Sequence, residues 1–220
     1  MTHFLIRSTA ANIQGHQLDF ILLDGSSSMQ TKWLETLRAI DTFVALLKDA
    51  NTNAHVILRT FCDQGLEVEQ RDTPLQDWTP CADPALGAYW GMTPLYDAIH
   101  MMALSLRSLD PVRCSIIIGT DGDENASQFT TLEQAKAFLD WMRFKGWQVT
   151  FIGTDFNNSK QAALLGADPA SAIGVQKALL SQAAAALAKK RIEYGLYGKP
   201  MHFTPGEQSQ FGGYLSKKED

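Results

Sequence analysis

From about residue 18 to residue 190 the chain alternates short, nearly unbroken apolar runs with longer stretches in which apolar residues recur every three or four positions. The runs LDFILL, AHVILRTFC, CSIIIG, QVTFIG and the weaker SAIGV have the length and continuity of strands buried on both faces. Between them, Trp33, Leu37, Ile40, Val44 and Leu47 fall on one helical face, as do Leu95, Ile99, Met102, Leu106 and Leu109. Leu132, Ala135, Leu139 and Met142 make a third stripe behind a capping box of Thr130 and Glu133, and an Ala-rich helix is expected near 176–194. These stripes are core. Strands alternating with helices predict an α/β fold, a doubly wound, mostly parallel central sheet flanked by helices.

Residues 64–92 break the rhythm: LEVEQR reads as an edge strand and DTPLQDWTPCADPALGAYWG as a long Pro-containing loop, and loops of that length are often functional. The last stretch, rich in Gly and aromatics, has no helical or strand period, and either packs back on the domain or docks a partner. The expected organisation is one domain over 1–194, with its core at about 15–194, and a tail over 195–220; a chain of 220 residues can bury one sizeable core.

Composition adds mostly exclusions. The net charge is -5, with scattered Lys and Arg, which lacks the basic footprint of a nucleic-acid binder. The N-terminus has no basic segment followed by an apolar one, and no apolar run approaches the roughly 20 residues that span a bilayer, so a soluble, cytoplasmic protein with no membrane contact is expected. Cys62, Cys81 and Cys114 are odd in number and widely spaced, against both a disulfide framework and a zinc knuckle; Cys62 and Cys114 read as small buried hydrophobes. A reducing compartment would leave the sequons at Asn125 and Asn157 unglycosylated.

Loops at the carboxyl ends of parallel strands converge on one edge of such a sheet, where ligand sites form. The loop after the first strand carries Asp24, Ser26 and Ser28 in DGSSSM, and the loop after CSIIIG carries Asp121 in TDGDEN. Thr93, in GMTPLYDAI, precedes Pro94 and a helix; taken alone it is a good N-cap. Together these residues offer two carboxylates and three hydroxyls, all oxygen donors, which suits magnesium or manganese, with calcium ranking behind them, and not zinc.

At this point DGSSSM, GMTPLYDAI and IIIGTDGDEN resemble the metal-ion-dependent adhesion site of a von Willebrand factor A domain, a pattern of Asp-x-Ser-x-Ser, a distant Thr and a distant Asp. The resemblance implies that Ser26, Ser28 and, with ligand bound, Thr93 contact the ion through hydroxyls, while Asp24 and Asp121 often act through water. It implies a non-enzymatic module whose ion is completed by an Asp or Glu of a protein partner. Members in bacteria and their viruses often serve as adaptors or assembly factors, some beside AAA+ ATPases, and in adhesion-type members the C-terminal helix shifts with the ion's coordination.

Three other readings compete. An EF-hand starting at Asp121 fails at Ala126 and Leu132, where Gly and Glu are needed, leaving Asp123, Glu124 and Asn125 as a solvated turn. A magnesium-dependent hydrolase or phosphoryl-transfer enzyme is the main alternative, but GxSxG, Walker A and GxGxxG are missing and the histidines lie outside these loops; His55 and His100 read as structural. The tail as the docking element is the third. Trp78, Tyr89 and Trp90 either wall a partner surface or simply cover the sheet edge.

Overall fold

The first strand, β1 (Gln17–Asp24), runs through the middle of the sheet because both its faces find apolar cover. Leu18, Phe20 and Leu22 enter one core and Ile21 and Leu23 the other, none more than 2% exposed. The computed structural model describes residues 17–50, 52–64, 70–82, 87, 90–121, 123–154 and 157–212. The other strands are β2 (Ala54–Phe61), β3 (Gln70–Pro74), β4 (Arg113–Gly119), β5 (Gln148–Gly153) and β6 (Ala172–Gly174). They form one six-stranded sheet in the order β3-β2-β1-β4-β5-β6, parallel except for β3, which pairs antiparallel with β2 at an edge.

The helices are α1 (Trp33–Asp49), α2 (Leu95–Leu109), α3 (Leu132–Phe144), α4 (Asn157–Leu164), α5 (Leu180–Tyr197) and α6 (Pro205–Gly212). The stripe from Trp33 to Leu47 packs with Ala183, Leu187 and Tyr194 of α5 on one face of the sheet; the stripes of α2 and α3 cover the other. The doubly wound α/β expectation therefore holds, and all five predicted strands appear.

Two local expectations shift. The edge strand lies at Gln70–Pro74, so that Asp72, Thr73 and Pro74, read as loop, belong to the sheet; residues 66–69 of LEVEQR lie outside the described residues. The His55 ring on β2 pairs with the Asp72 carboxylate across this strand pair, and Pro74 is tolerated because an edge strand leaves one side unpaired. The capping box is Thr131 with Gln134, one residue later than expected. Two threonines followed by Glu and Gln satisfy the sequence signature in both registers, and burial of Thr130 against His100, at 3.1 Å from the ring Nδ1, selects the second.

Trp78 is buried against α1, donating its indole N–H to Asp41 at 3.2 Å, and Asp41 also takes the backbone N–H groups of Cys81 and Ala82. It covers the core instead of presenting a partner surface. Trp90 lies edge-on to Trp33 with ring centres 5.7 Å apart, and Tyr89 lies outside the described residues.

The tail packs back on the domain as far as Gly212. Gly198, at a left-handed φ of 70°, ends α5 and turns the chain so that Met201, Phe203 and Phe211 enter the core. Phe203 N–H donates to the Ala170 carbonyl at 2.7 Å and Gln176 N–H to the Phe211 carbonyl at 2.9 Å, which covers the β6 edge that would otherwise be open to strand pairing.

At the amino ends of the parallel strands, α5 is fixed by a buried ion pair. The Arg191 guanidinium, fully buried, grips both carboxylate oxygens of Asp19 on β1, and also donates to Gln17 at 2.8 Å. Arg113 of β4 donates to the Tyr194 and Gly195 carbonyls at 2.7 and 2.6 Å, tying down the last turn of the same helix.

Candidate metal centre

The chain leaves β1 for β2 and β3 on one side and returns to β4 on the other, so the loops after β1 and β4 diverge around a crevice at the carboxyl edge. Asp24 is the last residue of β1 and Asp121 stands two residues beyond β4. Asp24 is fully buried: one carboxylate oxygen accepts the Ser26 N–H at 2.8 Å and the other the Thr120 hydroxyl at 2.7 Å. Among the described residues no cation pairs with it. Burial pushes its carboxyl up to about 6 against the pull of those hydrogen bonds, and the like charge of Asp121 adds to the rise.

A short 3-10 turn at Ser27–Met29 sets the hydroxyls of Ser26 and Ser28 side by side, 3.0 Å apart. Ser28 gives its one hydroxyl proton to Asp121 at 2.6 Å, so Ser26 donates to Ser28. Asp24, Ser26, Ser28 and Asp121 thus lie on one polar edge, the first loop and the third in direct contact.

Thr93 joins from the second loop. Ser27 N–H donates to the Gly91 carbonyl at 2.9 Å, and Thr93 exchanges two bonds with Asn125, its N–H to the Asn125 side chain at 2.8 Å and its carbonyl from the Asn125 N–H at 3.2 Å. Gly91 leaves room there: a Cβ on it would sit 1.8 Å from an Asp63 carboxylate oxygen and would displace the atom that holds Met92 N–H at 2.8 Å. The five residues singled out in the sequence therefore come to one edge from three loops that are bonded to one another.

No protein-family model and no curated protein matches the sequence. Solved structures do. The von Willebrand factor type A protein from Catenulispora acidiphila superposes with a TM-score of 0.58 at 15% identity, covering 80% of this chain and 42% of that one. Proximal thread matrix protein 1 from the mussel byssus gives 0.60 at 15% identity, covering 80% and 46%. The manganese-loaded TRAP protein of Plasmodium vivax gives 0.51 at 16% identity, covering 80% and 72%.

The fold is that of a von Willebrand factor A domain.

In this von Willebrand factor A fold the chain spans less than half of the mussel and Catenulispora proteins it resembles, so the likeness concerns the domain alone. The donor set at its carboxyl edge fits a hard divalent ion. Magnesium binds oxygens at about 2.0–2.1 Å in an octahedron, which sets neighbouring ligands about 3 Å apart, and the Ser26 and Ser28 hydroxyls stand at 3.0 Å. Among the described residues no group of three or more His, Cys, Asp and Glu converges, so an ion here would rest on hydroxyls backed by carboxylates, a hard-oxygen arrangement.

Three features of the site differ from the sequence reading or were missed by it. Thr93 does not cap α2: the N–H of Tyr96 donates to Glu124 at 2.9 Å and that of Asp97 to Ser127 at 3.1 Å, so the helix start is capped from the third loop. Glu124 and Asn125 are for the same reason a latch between loops and not a freely solvated turn; Asp97 completes it by accepting the N–H groups of Gln128 and Phe129 at 2.7 and 3.1 Å. The third feature is Lys32, whose ammonium pairs with the Asp121 oxygen that Ser28 leaves open. Its side chain is 16% exposed and that of Asp121 is fully buried. The residue sits eight positions after Asp24, outside the pattern of oxygen donors, and nothing in its spacing announced the contact.

Proposed function

We propose that this domain is a non-enzymatic, divalent-metal-dependent protein-binding module, in which Asp24, Ser26, Ser28, Thr93 and Asp121 hold magnesium or manganese and an Asp or Glu of a partner protein completes the coordination. The observation that carries the reading is the pair of serine hydroxyls at ligand spacing, with Asp121 bonded to one and Asp24 buried beneath them. When bound, the ion supplies a positive centre that attracts an acidic side chain from outside. Ser26 and Ser28 are neutral donors, so a site in which the carboxylates act through water leaves much of the ion's charge for that incoming group. Thr120 and the Ser26 N–H fix the Asp24 carboxylate through one oxygen each, and Asn125 holds the Thr93 segment in register.

A hydrolytic or phosphoryl-transfer role needs an acid, base or nucleophile at the ion. His55 is engaged by Asp72 and His100 stacks on Phe138, and the three cysteines are buried. The partner is read as a component of an intracellular assembly, such as an AAA+ ATPase or a bacterial or viral structural protein. Among the described residues no helix is long and apolar enough to cross a membrane.

The test is capture of partners from the source cells by wild type and by Asp24→Ala, each in magnesium and in chelator. A protein retained only by wild type with magnesium supports the reading; identical capture in all four conditions overturns it.

A further inference from the structure

We infer that Lys32 is a built-in counterion that competes with the divalent cation for Asp121, and so sets how tightly this site holds its metal. The inference rests on the proposed metal site and adds its regulation. Asp121 has two carboxylate oxygens, and both are engaged: one accepts the Ser28 hydroxyl at 2.6 Å and the other the Lys32 ammonium. Its side chain is wholly buried, where an unbalanced carboxylate is costly. Without a metal, Lys32 balances that charge.

Asp24 has no such partner among the described residues, and the charge acting on it is the like charge of Asp121. The two aspartates therefore share one internal cation, placed on the outer of the pair. A divalent ion beside Ser26 and Ser28 would bring two positive charges close to the ammonium on Asp121, and like charges a few ångströms apart under a partly buried surface repel strongly.

Lys32 has the means to leave. It precedes α1 as its N-cap residue, makes no side-chain cap there, and carries a four-carbon stem with part of its length at the surface. Its position is held from below by Trp33, which is buried, so the side chain and not the backbone would move. Metal entry then becomes an exchange of one cation for another on Asp121.

The experiment is a calorimetric titration of Mn2+ into chelator-stripped wild type, Lys32→Met and Lys32→Arg, with thermal melts of each protein in chelator and in Mn2+. The expected result is Mn2+ binding at least tenfold tighter for Lys32→Met, near wild-type affinity for Lys32→Arg, and a lower melting temperature for Lys32→Met in chelator that Mn2+ restores. Binding by Lys32→Met alone also supports the inference, as complete exclusion of metal by the lysine. Wild-type binding with Lys32→Met no tighter overturns the inference and leaves the metal site standing. No binding by any of the three overturns the metal site itself, and the inference with it.

Discussion

Asp19 and Asp24 lie five residues apart on the same strand, both fully buried, and the chain treats them in opposite ways. Asp19 is met by a guanidinium that fills both its oxygens, from a helix 172 residues away in sequence. Burial pushes its carboxyl up and Arg191 pulls against that. Asp24 receives neutral donors, the Ser26 N–H and the Thr120 hydroxyl, and no cation among the described residues, with its carboxyl raised to about 6 and a like charge nearby. A buried carboxylate that a guanidinium balances is a fastening; one that meets only neutral donors at a loop edge carries its charge without a cation among the described residues. The amino end of the sheet is the fastening, and it anchors α5; the carboxyl end holds the residues proposed as the metal site.

The largest effect expected from breaking this contrast is at the fastening. Arg191→Met leaves Asp19 buried without its partner and should cost about 3–5 kcal/mol in urea unfolding. A cost below about 1 kcal/mol would show that the pair fixes nothing.

Next comes the pH response of the metal-free protein. A folded-state carboxyl raised from 3.8 to about 6 means that the folded chain binds more protons than the unfolded one in that window, so the contribution of Asp24 is favourable at low pH and is lost as pH rises through 6. The stability of wild type relative to Asp24→Asn should therefore fall by about 2.4 kcal/mol between pH 4 and pH 7 in chelator. A flat difference across that range would mean that Asp24 is balanced after all.

The smallest change is at Thr120, whose hydroxyl is one of the two donors to Asp24. Thr120→Val should lower stability by about 1–2 kcal/mol at pH 7 and less at pH 4, where Asp24 is protonated. Equal losses at both pH values would assign Thr120 to packing alone.

How much of this was readable in advance follows physical lines. The parallel strands were legible because burial on both faces makes them continuous apolar runs, and helical stripes on α1, α2 and α3 follow from the same cores. The candidate residues were legible because loops after parallel strands meet at one edge whatever their separation in sequence. Pairings between distant charged residues were not: Arg191 with Asp19, and Lys32 with Asp121 across 89 positions, depend on tertiary packing that no local pattern encodes. The α6 turn of the tail was hidden for a related reason. Its sequence, PGEQSQFG, lacks an apolar stripe, and it is held by one buried Phe211, a backbone bond from Gln176 to Phe211, the Lys190–Glu207 pair and the Gln208 side chain on the Ala172 carbonyl.

The central claim is that Asp24 is kept unbalanced for the sake of a metal ion. Its most direct test is a calorimetric titration of Mg2+ into metal-free wild type and Asp24→Asn at pH 7.5. Saturable binding at one site by wild type, weakened at least a hundredfold in an Asp24→Asn protein that remains folded, is the predicted result. Equal binding by both proteins, or none by wild type, would contradict it.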